Sequence, residues 1–185
     1  LAVARAAAAA AGQELWRYIG GVSGGAKMPV PMMNVLNGGA HADNSLDIQE
    51  FMVVPVGAES SQKAVQYCSE IYASLKSVLK SKGLSTGIGD EGGFAPNLRK
   101  NEEGLELLAE ATLAAGLKPG RDIMFSLDAA AGEWAQPDGT YRMPKSGKTL
   151  NSLQLTRYWR QITEKYPILS VEDAAGRTIL SSGVF

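Results

Sequence analysis

The feature that most constrains this chain is a repeated order of elements: a helix, then a short apolar strand, then an acid. The acids are Glu91, Asp128 and Glu172. Alternating helices and strands predict an α/β fold with a parallel sheet and helical crossovers. Carboxylates at the carboxyl ends of successive strands are typical of a β/α barrel, which keeps its active site there. Exposed strand-end acids are also common, so the pattern alone leaves metal binding open.

Periodicity and turn residues divide the chain further. Apolar spacing predicts helices over residues 1–11, 60–82, 102–115 and 152–166, with Ser152 as a helix cap, and a short helical turn near 15–19. Strands are predicted over 29–36, 51–56, 123–128 and 166–173, with a turn at 136–140 inside a small hairpin. The loop between the first two strands is too short for a helical crossover, which favours an antiparallel pair. Residues 20–25 are predicted to form a flexible linker and a domain boundary.

The segment 87–96 places Asp90 and Glu91 among four glycines. Gly87, Gly89 and Gly92 also match the dinucleotide-binding pattern G-x-G-x-x-G, which requires a helix that receives a pyrophosphate at its N-terminus. The two acids would repel a pyrophosphate, and Pro96 opposes a helix start. An acidic catalytic loop is therefore the better interpretation.

Composition limits the chemistry. The chain has 185 residues, a hydrophobic fraction of 45% and a net charge of −1, which gives no general attraction to nucleic acid or anionic membrane. Its one cysteine, Cys68, excludes a disulfide within the chain and is predicted to pack in the core. Its one histidine, His41, excludes a His-rich metal site.

Several segments together resemble a known family. They are MPVPMMNVLNGGAHADN at 28–44, DIQEFM at 47–52, GDEGGFAPN at 89–97, SLDAAA at 126–131 and SVED at 170–173. In this order they resemble enolase, and the resemblance covers residues 1–173. It implies the first part of an enolase-type modified TIM (β/α) barrel at 27–173, preceded at 1–26 by the last helices of a small α+β capping domain and a linker. Because the chain opens at Leu1 and residues 174–185 form an unrecognised tail, we expect an enolase truncated at both ends.

The resemblance implies a lyase, phosphopyruvate hydratase, which reversibly dehydrates 2-phosphoglycerate to phosphoenolpyruvate in glycolysis. It implies Mg²⁺ held by Asp128 and Glu172, and Glu91 as the acid that helps hydroxide to leave. Glu50 is implied as the catalytic partner of Glu91 and as a substrate contact. His41 and Gln49 are implied as further substrate contacts. Without the resemblance, Glu50 is equally interpreted as the solvated start of a strand, and His41 as a structural or exposed residue.

The resemblance also implies a small-molecule substrate, no nucleic-acid or membrane partner, and a homodimer or higher homo-oligomer. Its glycolytic role implies the cytoplasm, although the parent enzyme also occurs at the cell surface or is secreted. The third metal carboxylate and the proton-abstracting lysine have no counterpart in this sequence, and Gly132 stands where the family usually has serine. We therefore expect the isolated chain to be inactive. The alternative is a non-catalytic, enolase-derived interaction protein.

Overall fold

The computed structural model of the chain describes residues 1–23 and 28–176. Its helices are α1 (Ala2–Ala10), α2 (Leu15–Gly20), α3 (Ser61–Ser81), α4 (Asn101–Ala114) and α5 (Ser152–Lys165). Its strands are β1 (Met33–Asn37), β2 (Glu50–Val54), β3 (Met124–Asp128), β4 (Tyr141–Arg142), β5 (Thr149–Leu150) and β6 (Ile168–Glu172). The flexible linker predicted over 20–25 is wrong at its start, because Gly20 ends α2 and Gly21–Ser23 form a short 3-10 helix. Its residues 24 and 25, and the tail predicted at 174–185 from Arg177 onward, lie outside the described residues.

The main sheet has the strand order β1-β2-β3-β6. The β1–β2 pair is antiparallel, as predicted. The β2–β3 pair is also antiparallel, so the prediction of parallel pairing is wrong for these two strands. It is confirmed for β3 and β6, which are parallel. Two helices, α3 and α4, separate β2 from β3, whereas a parallel crossover normally uses one. The α/β class is confirmed, and the sheet formed by the described residues is open.

The long helix α3 follows from its sequence. Its buried positions recur at helical spacing, among them Cys68, Ile71 and Leu75. The Ser60 side chain accepts a hydrogen bond from the Lys63 amide and caps the helix start. Gly83, with a φ of 69°, follows its end. Cys68 is fully buried, which confirms its prediction as a core residue. This burial raises the pKa of the thiol to about 11.

Some predicted boundaries are wrong by a few residues. Strand β1 begins at Met33 rather than Pro29, because the nearby prolines lack the amide hydrogen that strand pairing needs. The cap of α5 is Asn151 rather than Ser152. Asn151 and Gln154 exchange two hydrogen bonds of 2.9 Å, each from a backbone amide to the other side chain. The predicted turn at 136–140 is closed by an antiparallel bridge between residues 135 and 141.

The N-terminal helices α1 and α2 pack against each other and leave much of their apolar surface exposed. Ala8 is the buried residue of α1, and Trp16 and Ile19 of α2 remain more than half exposed. Across residues 1–23 and 28–176, no helix combines the length and the apolar character needed to cross a membrane.

The main core lies between the sheet and helices α3 and α4. Phe51, Phe125 and Leu127 are fully buried on the sheet, opposite Leu105 and Leu108 of α4. This packing depends on a glycine inside α4. A Cβ atom at Gly104 would lie 2.7 Å from Cε1 of the Phe51 ring, closer than real carbon contacts allow.

Gly104→Ala is therefore expected to destabilise the chain, although alanine is the better helix former. The gain in helix propensity is about 1 kcal/mol, whereas overpacking against the fixed Phe51 ring costs about 1–3 kcal/mol. Thermal unfolding measures the difference. Ser77→Ala, at an exposed position of α3, is the control and is expected to leave stability unchanged or slightly higher. A Gly104→Ala protein that melts above the wild type would contradict this account of the packing.

Candidate metal and acid–base site

The antiparallel direction of β2 brings acids from three strands to one edge of the sheet. Glu50, the first residue of β2, pairs with Asp128, the last residue of β3. Asp128 pairs in turn with Glu172, the last residue of β6. In-register residues on neighbouring strands, about 4.8 Å apart, project to the same face of a sheet. These three acids form a continuous row, which we call the carboxylate row.

Neighbouring hydrogen bonds fix the Asp128 carboxylate. Its Oδ2 accepts a 3.0 Å hydrogen bond from the Gln49 side-chain amide, and its Oδ1 accepts one of 2.9 Å from the Ala130 backbone amide. Glu172 is exposed at the end of β6, and its backbone carbonyl accepts a 3.0 Å hydrogen bond from the Ala129 amide. The chain around Asp128 therefore sets both the orientation of this carboxylate and its position beside Glu172.

The acidic loop, residues 87–96, packs on β1. The Phe94 amide donates to the Val35 carbonyl at 3.0 Å, and the Asn37 amide donates to the Phe94 carbonyl at 2.9 Å. A Cβ atom at Gly93 would lie 2.7 Å from the Leu36 amide nitrogen, so this glycine permits the close approach of two backbones. Glu91 lies within this loop, so its prediction as a strand-end acid is wrong.

The structure of the acidic loop also excludes the alternative of a dinucleotide-binding turn at Gly87, Gly89 and Gly92. The helix that follows the loop, α4, starts only at Asn101, so no helix N-terminus directly follows Gly92. The structure therefore lacks, at this segment, the strand-to-helix turn that a pyrophosphate site needs.

The acidic loop meets the loop that carries His41. The Asp90 amide donates to the His41 carbonyl at 3.2 Å. The His41 Nδ1 atom lies 3.4 Å from Glu91 Oε2 and 3.9 Å from Glu50 Oε1. One ligand atom from each of these three residues lies within 4.8 Å of the others. Among the described residues, the buried Nδ1 atom has no hydrogen-bond partner of acceptable geometry.

The two glutamates differ in their surroundings. The Glu50 side chain is 17% exposed and that of Glu91 is 43% exposed. Burial raises the pKa of Glu50 to about 8, with further contributions from a hydrogen bond to Glu91 and from the charges of Glu91, Asp128 and Glu172. The row and the acidic loop thus concentrate carboxyl groups in a small volume, which adds to the effect of burial on the pKa of Glu50.

All six residues proposed from the sequence for the site lie around this sheet edge. They are His41, Gln49, Glu50, Glu91, Asp128 and Glu172. Gln49 is nearly buried and engaged with Asp128, so its side-chain amide supports a carboxylate of the row. A cavity of about 230 Å³ adjoins the site and is lined in part by Gly39, Gln49, Ala130 and Lys145. A larger cavity of about 390 Å³ lies between α5 and β6 and is lined by none of these acids.

Sequence reasoning gave no role to Asp47, which is only 3% exposed. Its Oδ1 accepts hydrogen bonds from the amides of Lys145, at 2.8 Å, and Ser146, at 2.9 Å. Its Oδ2 accepts one from the Asn101 side chain at 3.3 Å. Asp47 therefore fastens the tip of the β4–β5 hairpin and the start of α4 to the loop that carries His41. Its one sequence signal is its place between the apolar residues Leu46 and Ile48.

The fold and the site together define an α/β protein with carboxylates gathered at one sheet edge beside His41 and Glu91. Residues 25–180 match the family described as enolase, C-terminal TIM barrel domain, and the chain belongs to this family. The resemblance is thereby confirmed at the level of the enolase superfamily and its barrel domain.

Family membership implies a divalent cation, and the residues present fit one. Carboxylate oxygens are the ligands that Mg²⁺ prefers, and the carboxylate row supplies them from adjacent strands. Burial is the largest cause of the raised pKa of Glu50, and the neighbouring acids add a charge repulsion that a bound cation would offset. The imidazole of His41 beside Glu50 and Glu91 is a donor set better suited to a transition metal than to Mg²⁺.

Proposed function

We propose that this chain carries the metal-binding and acid-delivering part of an enolase active site. The reaction is the reversible dehydration of 2-phosphoglycerate to phosphoenolpyruvate in glycolysis, and the working location is the cytoplasm. The observation that carries the proposal is the register of Glu50, Asp128 and Glu172 on adjacent strands, next to His41 and Glu91. This arrangement matches a reaction that must both neutralise a multiply charged substrate and protonate a leaving hydroxyl.

Asp128 and Glu172 would hold Mg²⁺. When bound, the cation stabilises the negative charge that develops on the substrate carboxylate after removal of the neighbouring proton, as is general in the enolase superfamily. Gln49 and the Ala130 amide keep the Asp128 carboxylate in one orientation, so that little reorganisation accompanies cation binding. This support assigns Gln49 a role in positioning as well as the proposed substrate contact.

Glu91 is proposed as the acid that protonates the leaving hydroxyl. It is the more exposed member of the acid pair and lies on the acidic loop, from which it reaches a substrate at the sheet edge. Glu50, the less exposed of the two, is proposed as its catalytic partner and as a second substrate contact. His41 is proposed as a further substrate contact, since it lies beside the acid pair with its Nδ1 atom 3.4 Å from Glu91 Oε2.

We further propose that the isolated 185-residue chain does not turn over substrate. The resemblance assigns no residue of this sequence to the third metal carboxylate or to the lysine base. Among the described residues, β6 is an edge strand of an open sheet, which also favours aggregation. The division into a capping-domain remnant at 1–26, a partial barrel at 27–173 and a tail at 174–185 is part of this proposal, as is homo-oligomer formation by the parent enzyme.

The proposed function is tested on the isolated chain by product binding and by turnover. Calorimetry is expected to detect binding of phosphoenolpyruvate in Mg²⁺ that weakens at least about tenfold in a chelator, because the cation neutralises the facing carboxylates. A coupled assay is expected to give no turnover above a Glu91→Gln control. Turnover above that control would refute the proposed inactivity. If phosphoenolpyruvate does not bind, or binds equally well without Mg²⁺, the proposed enolase activity is refuted and an interaction protein is favoured.

A further inference from the structure

Two residues other than glycine adopt a left-handed backbone conformation within residues 1–23 and 28–176. They are Ala130, with a φ of 49°, and Asp173, with a φ of 42°. Asp173 directly follows Glu172, and Ala130 lies two residues after Asp128. A side chain in this conformation costs about 1–2 kcal/mol and persists only where the surroundings hold it. Both strained positions therefore lie within two residues of a proposed metal ligand.

The strained segments are bonded to each other. The Ala129 amide donates to the Glu172 carbonyl at 3.0 Å, and the Ala131 amide donates to the Asp173 carbonyl at 2.9 Å. The Gly132 amide donates to Oδ2 of Asp173 at 2.9 Å. With the bond from the Ala130 amide to Asp128, every amide from 129 to 132 is bound to an acceptor on one of the two ligand-bearing strand ends.

Asp173 supplies two of these acceptors, one from its backbone and one from its side chain. Gly132 allows the side-chain contact, since a Cβ atom there would lie only 3.0 Å from the Asp173 carboxylate oxygen. The Asp173 carboxylate thus extends the backbone pairing of β3 and β6 past their last residues. Without it, the turn after Asp128 would keep its strained backbone but lose the acceptor for its last amide.

We propose that Asp173 is a positioning residue, whose carboxylate braces the 129–132 turn and thereby sets the spacing of Asp128 and Glu172. This inference rests on the proposed function, in which those two residues hold the cation. Asp173 acts through the hydrogen bond to the Gly132 amide and contributes no ligand atom. An acceptor oxygen of the right length is therefore the property that matters at position 173.

The test uses the full chain and Mn²⁺ alone, with free Mn²⁺ measured by electron paramagnetic resonance. Asp173→Ala is expected to weaken Mn²⁺ binding about tenfold, the usual cost of losing a group that orients a ligand. Asp173→Asn loses the same charge but keeps an acceptor oxygen, and its affinity is expected within about threefold of the wild type. Asp138→Ala, at an exposed turn acid bonded to Thr140, removes the same charge and is the control.

The outcomes separate the brace from other roles. If Asp173→Asn weakens Mn²⁺ binding as much as Asp173→Ala, Asp173 acts by its charge or as a ligand. The proposed positioning role is then refuted. Unchanged affinity in Asp173→Ala also refutes it. If Asp173→Ala does not fold, Asp173→Glu replaces it, since glutamate keeps the charge but displaces the acceptor. Wild-type affinity in Asp173→Glu would then overturn the proposal.

A second measurement does not depend on the cation. Hydrogen exchange of the Ala131 and Gly132 amides is expected to accelerate in Asp173→Ala and to stay near the wild-type rate in Asp173→Asn. If the wild type binds no Mn²⁺, the proposed function fails. Hydrogen exchange alone then decides whether the Asp173 carboxylate holds the 129–132 turn. Equal exchange rates in the two variants would overturn it, whereas faster exchange limited to Asp173→Ala would support it.

Discussion

Asp128→Asn is expected to weaken the binding of Mg²⁺ or Mn²⁺ to the chain about 100-fold, equivalent to about 2.7 kcal/mol. The change keeps the size of the side chain but removes one of the two proposed anionic ligands. The Gln49 amide and the Ala130 amide, which point at the Asp128 oxygens, would then partly face an amide nitrogen and lose an acceptor. Calorimetry for Mg²⁺ and paramagnetic resonance for Mn²⁺ measure the loss.

Two further variants make this result specific. Glu172→Gln is expected to weaken binding by a similar factor, because Glu172 pairs with Asp128 in register. Asp138→Asn applies the same chemical change to an exposed acid in the turn before β4, and its affinity is expected to equal that of the wild type. If Asp128→Asn and Asp138→Asn bind the ions equally well, the cation is not held by the carboxylate row. A loss confined to His41 variants would instead place the cation at His41, Glu50 and Glu91.

Glu50→Gln is expected to stabilise the metal-free chain at high pH but not at low pH. The pKa of Glu50 is about 8 in the folded chain, against an ordinary value of 4.5. The folded state therefore keeps a proton that the unfolded state releases, so the wild type loses stability as pH rises from about 4.5 to about 8. Burial is the largest cause of the shift, and the charges of Glu91, Asp128 and Glu172 add to it.

Partial exposure of Glu50 limits the gain from Glu50→Gln to about 1–2 kcal/mol, or roughly 2–8 °C in melting temperature at pH 9. At pH 4 the two proteins are expected to melt together, because Glu50 is then protonated in both states. Thermal unfolding in a chelator provides the comparison, with Glu59→Gln as a control at an exposed acid. A gain of the same size at both pH values would show that the substitution acts by packing and not by titration.

Much of the sheet and its helices could be predicted because their signals are local. The apolar spacing of α3 and the short apolar runs of β3 and β6 identify these elements directly. The acids that end β3 and β6 follow from the same pattern, since a polar residue after a buried strand marks where the chain reaches the surface. The glycine-rich acidic loop identified Glu91, and the family motifs then added His41, Gln49 and Glu50.

The strand directions could not be predicted in this way. Whether β2 and β3 are parallel depends on how α3 and α4 pack together. The spacing of apolar residues predicts each helix but not the packing between them. The roles of Asp47 and Asp173 were missed for a related reason. Their hydrogen-bond partners, such as Lys145 and Gly132, lie far away in sequence. Ala130 gave no signal either, because glycine is the residue that usually marks a left-handed backbone.

The reversed direction of β2 makes the length of the preceding loop critical. Glu50 is the first residue of its strand, so the length of the 38–49 loop helps to determine which residue faces Asp128. One inserted residue that slipped β2 by one place would turn the Glu50 side chain to the opposite face and expose Phe51 to the solvent side. Length changes in the 136–140 turn leave this alignment intact. Natural variation in chain length should accordingly concentrate in that turn and spare the loop before Glu50.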